Sequence, residues 1–355
     1  MKLIIEPDDG VSPLLSAIKS AKETIDLAIF RFDHRDLSKA LRAAVARGVK
    51  VNALVASVNH GGEKSLRKLE MRFLDAGITV ARSANQLLRY HDKLIVIDRR
   101  TLYVLSFNFT HLDIDRSRGF GVITHNAGWV AEAVKLLQAD SKRVPYSSGL
   151  DTFVVSPVNA RKVLANFLKR AHKQLLIYDP KISDKEMLRI LQDRVKAGVE
   201  VRVIGQCKAD LHVKGLSNLR LHTRTIIRDG RQAFIGSQSL RAAELDLRRE
   251  VGLVIRDAKI VKKLLETFGS DWSSAGKKES ASNTDQAETR KKDSDKVVQI
   301  LIEELHPIAT TVKKAVKKAV AKAGDEALED GSVQDTVKGV VKKAVKQAVK
   351  DAIKA

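Results

Sequence analysis

One cysteine, Cys207, stands in 355 residues, so no internal disulfide can form and a reducing compartment is expected. No Cys/His cluster has the spacing of a zinc site. Apolar runs all fall far short of the ~20 residues that cross a bilayer. The N-terminus, Met1-Lys2-Leu3-Ile4-Ile5-Glu6-Pro7, passes straight into a short apolar strand and a charged loop, without the h-region of a signal peptide. These absences imply a cytoplasmic protein, with peripheral attachment to a membrane as the alternative. Bulky apolar anchors are also scarce at the C-terminal end, where Val and Ala carry the apolar stripe; this weakens a lipid-inserting reading.

What is abundant is positive charge. The net charge is +21. Residues 273–355 hold 17 Lys/Arg against 13 Asp/Glu, a net of +4, which leaves +17 on residues 1–272. A core this basic favours polyanionic partners, either nucleic acid or an anionic membrane surface. With 44% apolar residues the chain can bury a core of ordinary size, in two or so domain-sized units.

The most informative stretch is Tyr90-His91-Asp92-Lys93-Leu94-Ile95-Val96-Ile97-Asp98, followed by Ser106-Phe107-Asn108. An altered copy lies at His222-Thr223-Arg224-Thr225-Ile226-Ile227-Arg228-Asp229, followed by Gly236-Ser237-Gln238-Ser239, a His-to-His offset of 131. Residues two apart on a strand share a face, so Arg89, His91 and Lys93 are expected on one face and Arg220, His222 and Arg224 on another. Together the two faces would form a cationic cleft with two imidazoles. One would attack phosphorus while the other protonates the leaving oxygen, a phosphoryl transfer that needs no metal or cofactor.

The doubled pattern HxKxxxxD followed by G-S-x-N resembles the phospholipase D superfamily, and the phospholipase and cardiolipin-synthase branch of it in particular. The first copy matches at His91, Lys93, Asp98, Ser106 and Asn108, with Leu105 in place of Gly. The second matches at His222, Asp229, Gly236 and Ser237, with Arg224 in place of Lys and Ser239 in place of Asn. The likeness covers about residues 1–272. It implies a phosphodiesterase acting through a phosphohistidine, with His91 as nucleophile and His222 as general acid and then base. Lys93 and Arg224 would stabilise the charge that develops on the phosphate, and Ser106, Asn108, Ser237 and Ser239 would contact its oxygens. The resemblance also implies an acidic residue that orients each histidine. Glu250 occupies that place in the second half; Gly119 stands there in the first, so Asp115 or Asp113 would have to serve, or His91 has another partner. Phospholipid, by hydrolysis or phosphatidyl transfer, is the expected substrate. A metal-independent DNA endonuclease and a degenerate phosphate-binding module remain as alternatives, the latter favoured by Leu105, Gly119, Arg224 and Ser239.

Repetition extends beyond the motifs. Leu3-Ile4-Ile5-Glu6-Pro7 is echoed by Phe153-Val154-Val155-Ser156-Pro157, and Leu27-Ala28-Ile29-Phe30 by Leu175-Leu176-Ile177-Tyr178. The helix, Gly and strand pattern around Gly48 recurs around Gly198, an offset of 150. The predicted fold is therefore α/β: two tandem phospholipase D-like repeats, each a mixed sheet flanked by helices, with the site at their pseudo-twofold interface. The expected boundaries are 1–145 and 146–272, with the first repeat carrying an insertion at the helical stretch 63–73. Residues 273–295 read as a disordered linker. Residues 296–355 read as a Lys/Val/Ala-rich amphipathic helical tail that would self-associate or bind a polyanion.

Overall fold

In a computed structural model the described residues are 1–57, 63–84, 87–209 and 211–275. The first repeat runs β1 (Lys2–Glu6), α1 (Ser12–Ser20), β2 (Thr24–Ile29), α2 (Arg35–Ala46), β3 (Lys50–Val55), α3 (Glu63–Asp75) and β4 (Thr79–Arg82). It continues with β5 (Arg89–Tyr90), β6 (Lys93–Ile97), β7 (Thr101–Leu105), α4 (His111–Asp115), β8 (Ser117–Thr124) and α5 (Ala127–Lys142). The second runs β9 (Phe153–Ser156), α6 (Ala160–Lys169), β10 (Gln174–Ile182), α7 (Lys185–Lys196), β11 (Glu200–Cys207) and β12 (His212–Lys214). It ends with β13 (Arg220–Leu221), β14 (Arg224–Arg228), β15 (Gln232–Gly236), α8 (Ala242–Asp246), β16 (Arg248–Ile255) and α9 (Ala258–Ser274).

Each repeat builds a mixed sheet. The orders are β1-β8-β7-β6-β2-β3-β4 and β12-β11-β10-β14-β15-β16, parallel where helices cross over (β2 with β3, β10 with β11) and antiparallel where hairpins connect (β6 with β7, β14 with β15). Central β6, Lys93-Leu94-Ile95-Val96-Ile97, is buried at every position because both of its faces are covered. Its odd and even residues join different cores. Leu94 and Val96 belong to an apolar layer shared by both repeats, while Ile95 and Ile97 pack with α1 and α2. Gly48 and Gly198 close α2 and α7 at φ +87° and +81°, which glycine adopts without a Cβ penalty.

The sheets exchange a strand. Two-residue β5 leaves the first repeat to pair with β16 of the second, and β13 leaves the second to pair with β8 of the first. Buried ion pairs repeat the exchange. Arg118 on β8 grips Asp271 on α9 at 2.9 and 3.0 Å, and Arg249 on β16 grips Asp140 on α5 at 3.0 and 2.9 Å. Both arginines and both aspartates are related by the offset of 131. The two repeats thus form one compact unit.

Three expectations change. First, Ile25 pairs with Ile97 and Leu175 with Arg228, so Ile25 and Leu175 are equivalent, not Leu27 and Leu175. A strand's period of two lets a two-residue slip look like a match in the sequence. Second, β5 and β6 are separate strands broken at His91-Asp92, so Arg89, His91 and Lys93 do not share one strand face. Third, α9 continues through Ser274, with Trp272 stacked on Phe268 and the Ala275 amide donating to the Asp271 carbonyl, so residues 273 and 274 are helical. The rest of the expected linker and the tail at 296–355 lie outside the described residues. The extra helix of the first repeat is α3; among the described residues no helix stands between β11 and β12.

Candidate active site

The strand exchange delivers the two histidines. Each follows its exchanged strand and is held by the opposite repeat: the His91 amide donates to the Arg249 carbonyl (2.9 Å) and the His222 amide to the Arg118 carbonyl (3.2 Å). Each then carries a cation two residues on that folds back over it. Lys93 Nζ donates to the His91 carbonyl at 2.7 Å and lies 3.1 Å from both ring nitrogens, and Arg224 donates to the His222 carbonyl at 2.6 Å. Local sequence thus sets a matched His and cation pair in each repeat, and the exchange turns both toward one interface.

The surroundings of the two imidazoles differ. His91 is 6% exposed, and its Nδ1 lies 2.8 Å from the Glu250 carboxylate of the other repeat. Once Nδ1 carries the proton, Nε2 is the nitrogen with the lone pair, and Lys93 Nζ faces it at 3.1 Å. The Phe30 ring meets the imidazole edgewise at 4.6 Å, and the cations of Arg31, Arg89 and Lys93 sit over that ring at 5.4, 5.4 and 5.7 Å. His222 is 9% exposed; its Nε2 is 3.5 Å from Asp113 and its Nδ1 has no hydrogen-bond partner among the described residues.

Burial dominates the electrostatics. Desolvation, then repulsion from Lys93 and Arg224, holds His91 well below the usual imidazole pKa, and desolvation, Arg224 and Lys93 do the same to His222. Lys93 is pulled down to about 7 by burial, against the opposing pull of Glu250. Burial pushes Glu250 up to about 7, with Lys93 and Arg224 opposing. Burial and the neighbouring Arg248 and Arg31 also depress Arg89. An anion entering here would relieve repulsion among several cations.

The remaining expected site residues are placed as follows. Asp98 and Asp229, each at positive φ (50° and 54°), lie at the far ends of β6 and β14. Asp98 accepts the backbone N–H groups of Lys22, Glu23 and Thr24, and Asp229 those of His172, Lys173 and Gln174. They fix the sheet register rather than touching the reacting atoms. Asp115 bonds His111 at 3.1 Å and orients neither catalytic candidate, a correction to its expected role, since it points outward from the end of α4. His91 is oriented across the repeats by Glu250 instead. Ser106 bridges to the Phe120 amide, Asn108 is held between Asp113 and the Arg31 amide, Ser237 bridges to Val251, and Ser239 bonds Asp179. Those four side chains are therefore hydrogen-bonded within the protein, a departure from the expectation that they are free to contact a substrate.

Sequence reading gave no role to Phe30, Arg31 or Glu244. Glu244 accepts the Ser239 amide (2.8 Å) as Asp113 accepts the Asn108 amide (2.8 Å). These two acids are also 131 apart, a signal the repeat offset carries. Phe30 and Arg31 have no such signal, because their equivalents by the offset of 150 are Pro180 and Lys181.

A family model described as "Cardiolipin synthase, PLD-like domain" matches residues 14–142 and 206–272. The major cardiolipin synthase ClsA of Bacillus subtilis is 26% identical over 330 residues, 76% of this chain and 68% of that protein. In fold, the chain is similar to a polyphosphate kinase from Porphyromonas gingivalis (TM-score 0.62, 21% identity, 76% of this chain and 49% of that one). It is similar also to a phosphatidylserine synthase from Haemophilus influenzae (TM-score 0.61, 10% identity, 86% and 94%). The chain therefore spans about two thirds of the Bacillus protein and about half of the kinase.

Proposed function

The chain belongs to the phospholipase D-like family, as an enzyme of phosphodiesterase type, and on that premise we propose that it cleaves or exchanges the phosphodiester of a phospholipid through a phosphohistidine on His91. The observation that carries this reading is the Glu250–His91 contact, which holds the proton on Nδ1 and so leaves Nε2 as the basic nitrogen of a buried imidazole, with Lys93 beside it to pass to an incoming phosphate. In the first step the Nε2 lone pair attacks phosphorus, the bond from phosphorus to the leaving oxygen breaks, and His222 supplies the proton to that oxygen. His222 enters this step protonated, because a bound anion favours the imidazolium that the empty cationic site disfavours. In the second step His222 takes a proton from water or an alcohol. The resulting oxygen attacks phosphorus, the N–P bond breaks, and His91 is regenerated. Lys93 and Arg224 stabilise the extra charge of each pentavalent state. Phospholipid is favoured by the Bacillus relative's name, and the basic core is suited to an anionic membrane surface.

The test is to incubate the purified chain, with chelator, in parallel with anionic phospholipid vesicles and with plasmid DNA. Release or exchange of a lipid head group supports the proposal. Nicking of DNA without lipid turnover would replace it with the nuclease reading, and binding without turnover in either arm would favour a phosphate-binding module, as the missing acid at Gly119 suggests.

A further inference from the structure

The two repeats secure the short helix after their motif in different ways. In the second, Arg161 lies between α7 and α8. Its guanidinium meets Asp184 at 2.7 and 3.0 Å, Glu186 at 3.1 Å and Asp246 at 2.8 and 2.5 Å. One cation thereby ties the start of α7 to the end of α8. By the offsets of 150 and 131, the equivalent residues in the first repeat are Val11 for Arg161, His34 for Asp184, Asp36 for Glu186 and Asp115 for Asp246. Val11 offers no charge, so the guanidinium has no counterpart there.

What gathers at that place is a set of metal donors. One ligand atom each from His34, His111 and Asp115 lie within 4.8 Å of one another. His34 caps the start of α2 and is 3% exposed, yet its Nδ1 has no hydrogen-bond partner among the described residues. The His111 ring stacks on it at 4.2 Å, and His111 and Asp115 are related as i and i+4 on α4. We propose that His34, His111 and Asp115 bind a divalent transition-metal ion, Zn²⁺ by the chemistry of the donors, in place of the guanidinium that Arg161 supplies in the second repeat.

Two imidazoles and a carboxylate, with water in the fourth position, suit Zn²⁺. Bonds of about 2.1 Å would bring the donor atoms to roughly 3.4 Å apart. That needs His111 to turn out of its stack on His34, so that the two in-plane lone pairs converge, with Asp115 following; the His111 and Asp115 side chains are 55% and 51% exposed and have room to move. The bound ion would tie the loop between β2 and α2 to α4. Since α4 carries Asp113, the neighbour of His222, the ion would hold that acid in place without meeting the substrate. This site stands apart from the proposed chemistry and does not depend on it.

To test it, the full chain without a histidine tag is stripped with chelator, incubated with Zn²⁺, desalted and analysed for bound metal, with Co²⁺ as a spectroscopic probe of imidazole ligation. We expect about one retained Zn²⁺ per chain and a rise in Tm of about 3–8 °C over the stripped protein. His111→Ala and Asp115→Asn should lose both while matching the stripped wild type in Tm and circular dichroism; His212→Ala, at an exposed histidine elsewhere, should lose neither. Absence of retained metal in the wild type, or retention undiminished in His111→Ala, would overturn the assignment. The second outcome would place the ion elsewhere, such as on His91 and His222.

Discussion

Glu250 holds Nδ1 of His91 at 2.8 Å from across the repeat boundary, whereas among the described residues no carboxylate meets Nδ1 of His222, and Asp113 lies 3.5 Å from its Nε2. The offset of 131 puts Gly119 where that acid would stand, and a Cβ there would come within 2.9 Å of Phe107 Cδ1. The Phe107 ring has filled the space, and His222 Nδ1 is left without a partner among the described residues. Two histidines that look alike in sequence are therefore unequal in chemistry. Among the described residues only His91 has a carboxylate on Nδ1, placed to stabilise positive charge on its ring if Nε2 bonds to phosphorus as proposed.

Replacing Glu250 with Gln keeps the shape and a hydrogen-bond acceptor for Nδ1–H but removes that charge. The expected loss in kcat is on the order of 10²–10⁴-fold, by analogy with the acid of a Ser-His-Asp triad. Steady-state kinetics on a lipid diester provide the check, and wild-type kcat in Glu250→Gln would show that the contact orients nothing of consequence.

The pH dependence follows from two buried groups. Glu250, pushed up to about 7, loses its charge as the pH falls through neutrality, and Lys93, pulled down to about 7, loses its charge as the pH rises. Both charged forms are needed, so kcat/KM should be a narrow bell centred near neutral pH, its limbs belonging to the coupled pair. Bound phosphate favours the ammonium form of Lys93, so the alkaline limb of kcat should lie at higher pH than that of kcat/KM. In Glu250→Gln the acid limb should vanish while the alkaline limb remains. A profile flat from pH 5 to 9 would contradict the assignment.

Much of this was legible in the sequence because the internal repeat preserves side-chain type at fixed offsets. The two motifs, the Gly caps and the order of strands and helices all follow from local pattern. The strand exchange did not. Arg89-Tyr90 and Arg220-Leu221 are two-residue strands, too short for alternation to register, and their partners lie in the other repeat. For the same reason sequence alone assigns Glu250 to its own half. The constant Asp98 and Asp229 of the motifs looked chemical by sequence, but their carboxylates are spent on backbone N–H groups that only the fold brings near. His34 and His111 lie too far apart in the chain for any ligand spacing to flag them.

The reciprocal ion pairs give a stability prediction. Arg118 and Arg249 are under a tenth exposed and each is bonded at two points to an aspartate of the other repeat. Asp140→Asn leaves a buried guanidinium without its bonded counter-charge, which should cost about 3–5 kcal/mol; Asp271→Asn should cost less, since Arg118 keeps Asp8 at 3.4 Å. Replacing both partners of one pair with apolar residues of similar volume should cost less, since no charge is then stranded. Urea melts of the three variants would decide. Equal stability of Asp140→Asn and wild type would mean that water reaches the pair and that the staple is weak.

The division of labour between the histidines has a direct kinetic signature. If His91 is the nucleophile, His91→Ala removes the atom that bonds to phosphorus, and turnover should fall by roughly 10⁴-fold or more on any diester. His222→Ala keeps that atom and its Glu250 partner but loses the proton donor. On a lipid, whose alkoxide is a poor leaving group, the loss should be about 10²–10⁴-fold. On a nitrophenyl diester, which departs without protonation, the first step should proceed nearly unaided, and phosphoenzyme should accumulate because His222 no longer activates the second acceptor. An alkaline denaturing quench, under which the N–P bond persists, followed by phosphohistidine analysis would therefore detect a stoichiometric adduct in His222→Ala and none in His91→Ala. An adduct in His91→Ala instead would assign the nucleophile to His222, despite its orphaned Nδ1, and would give Asp113 the orienting role that Glu250 holds here.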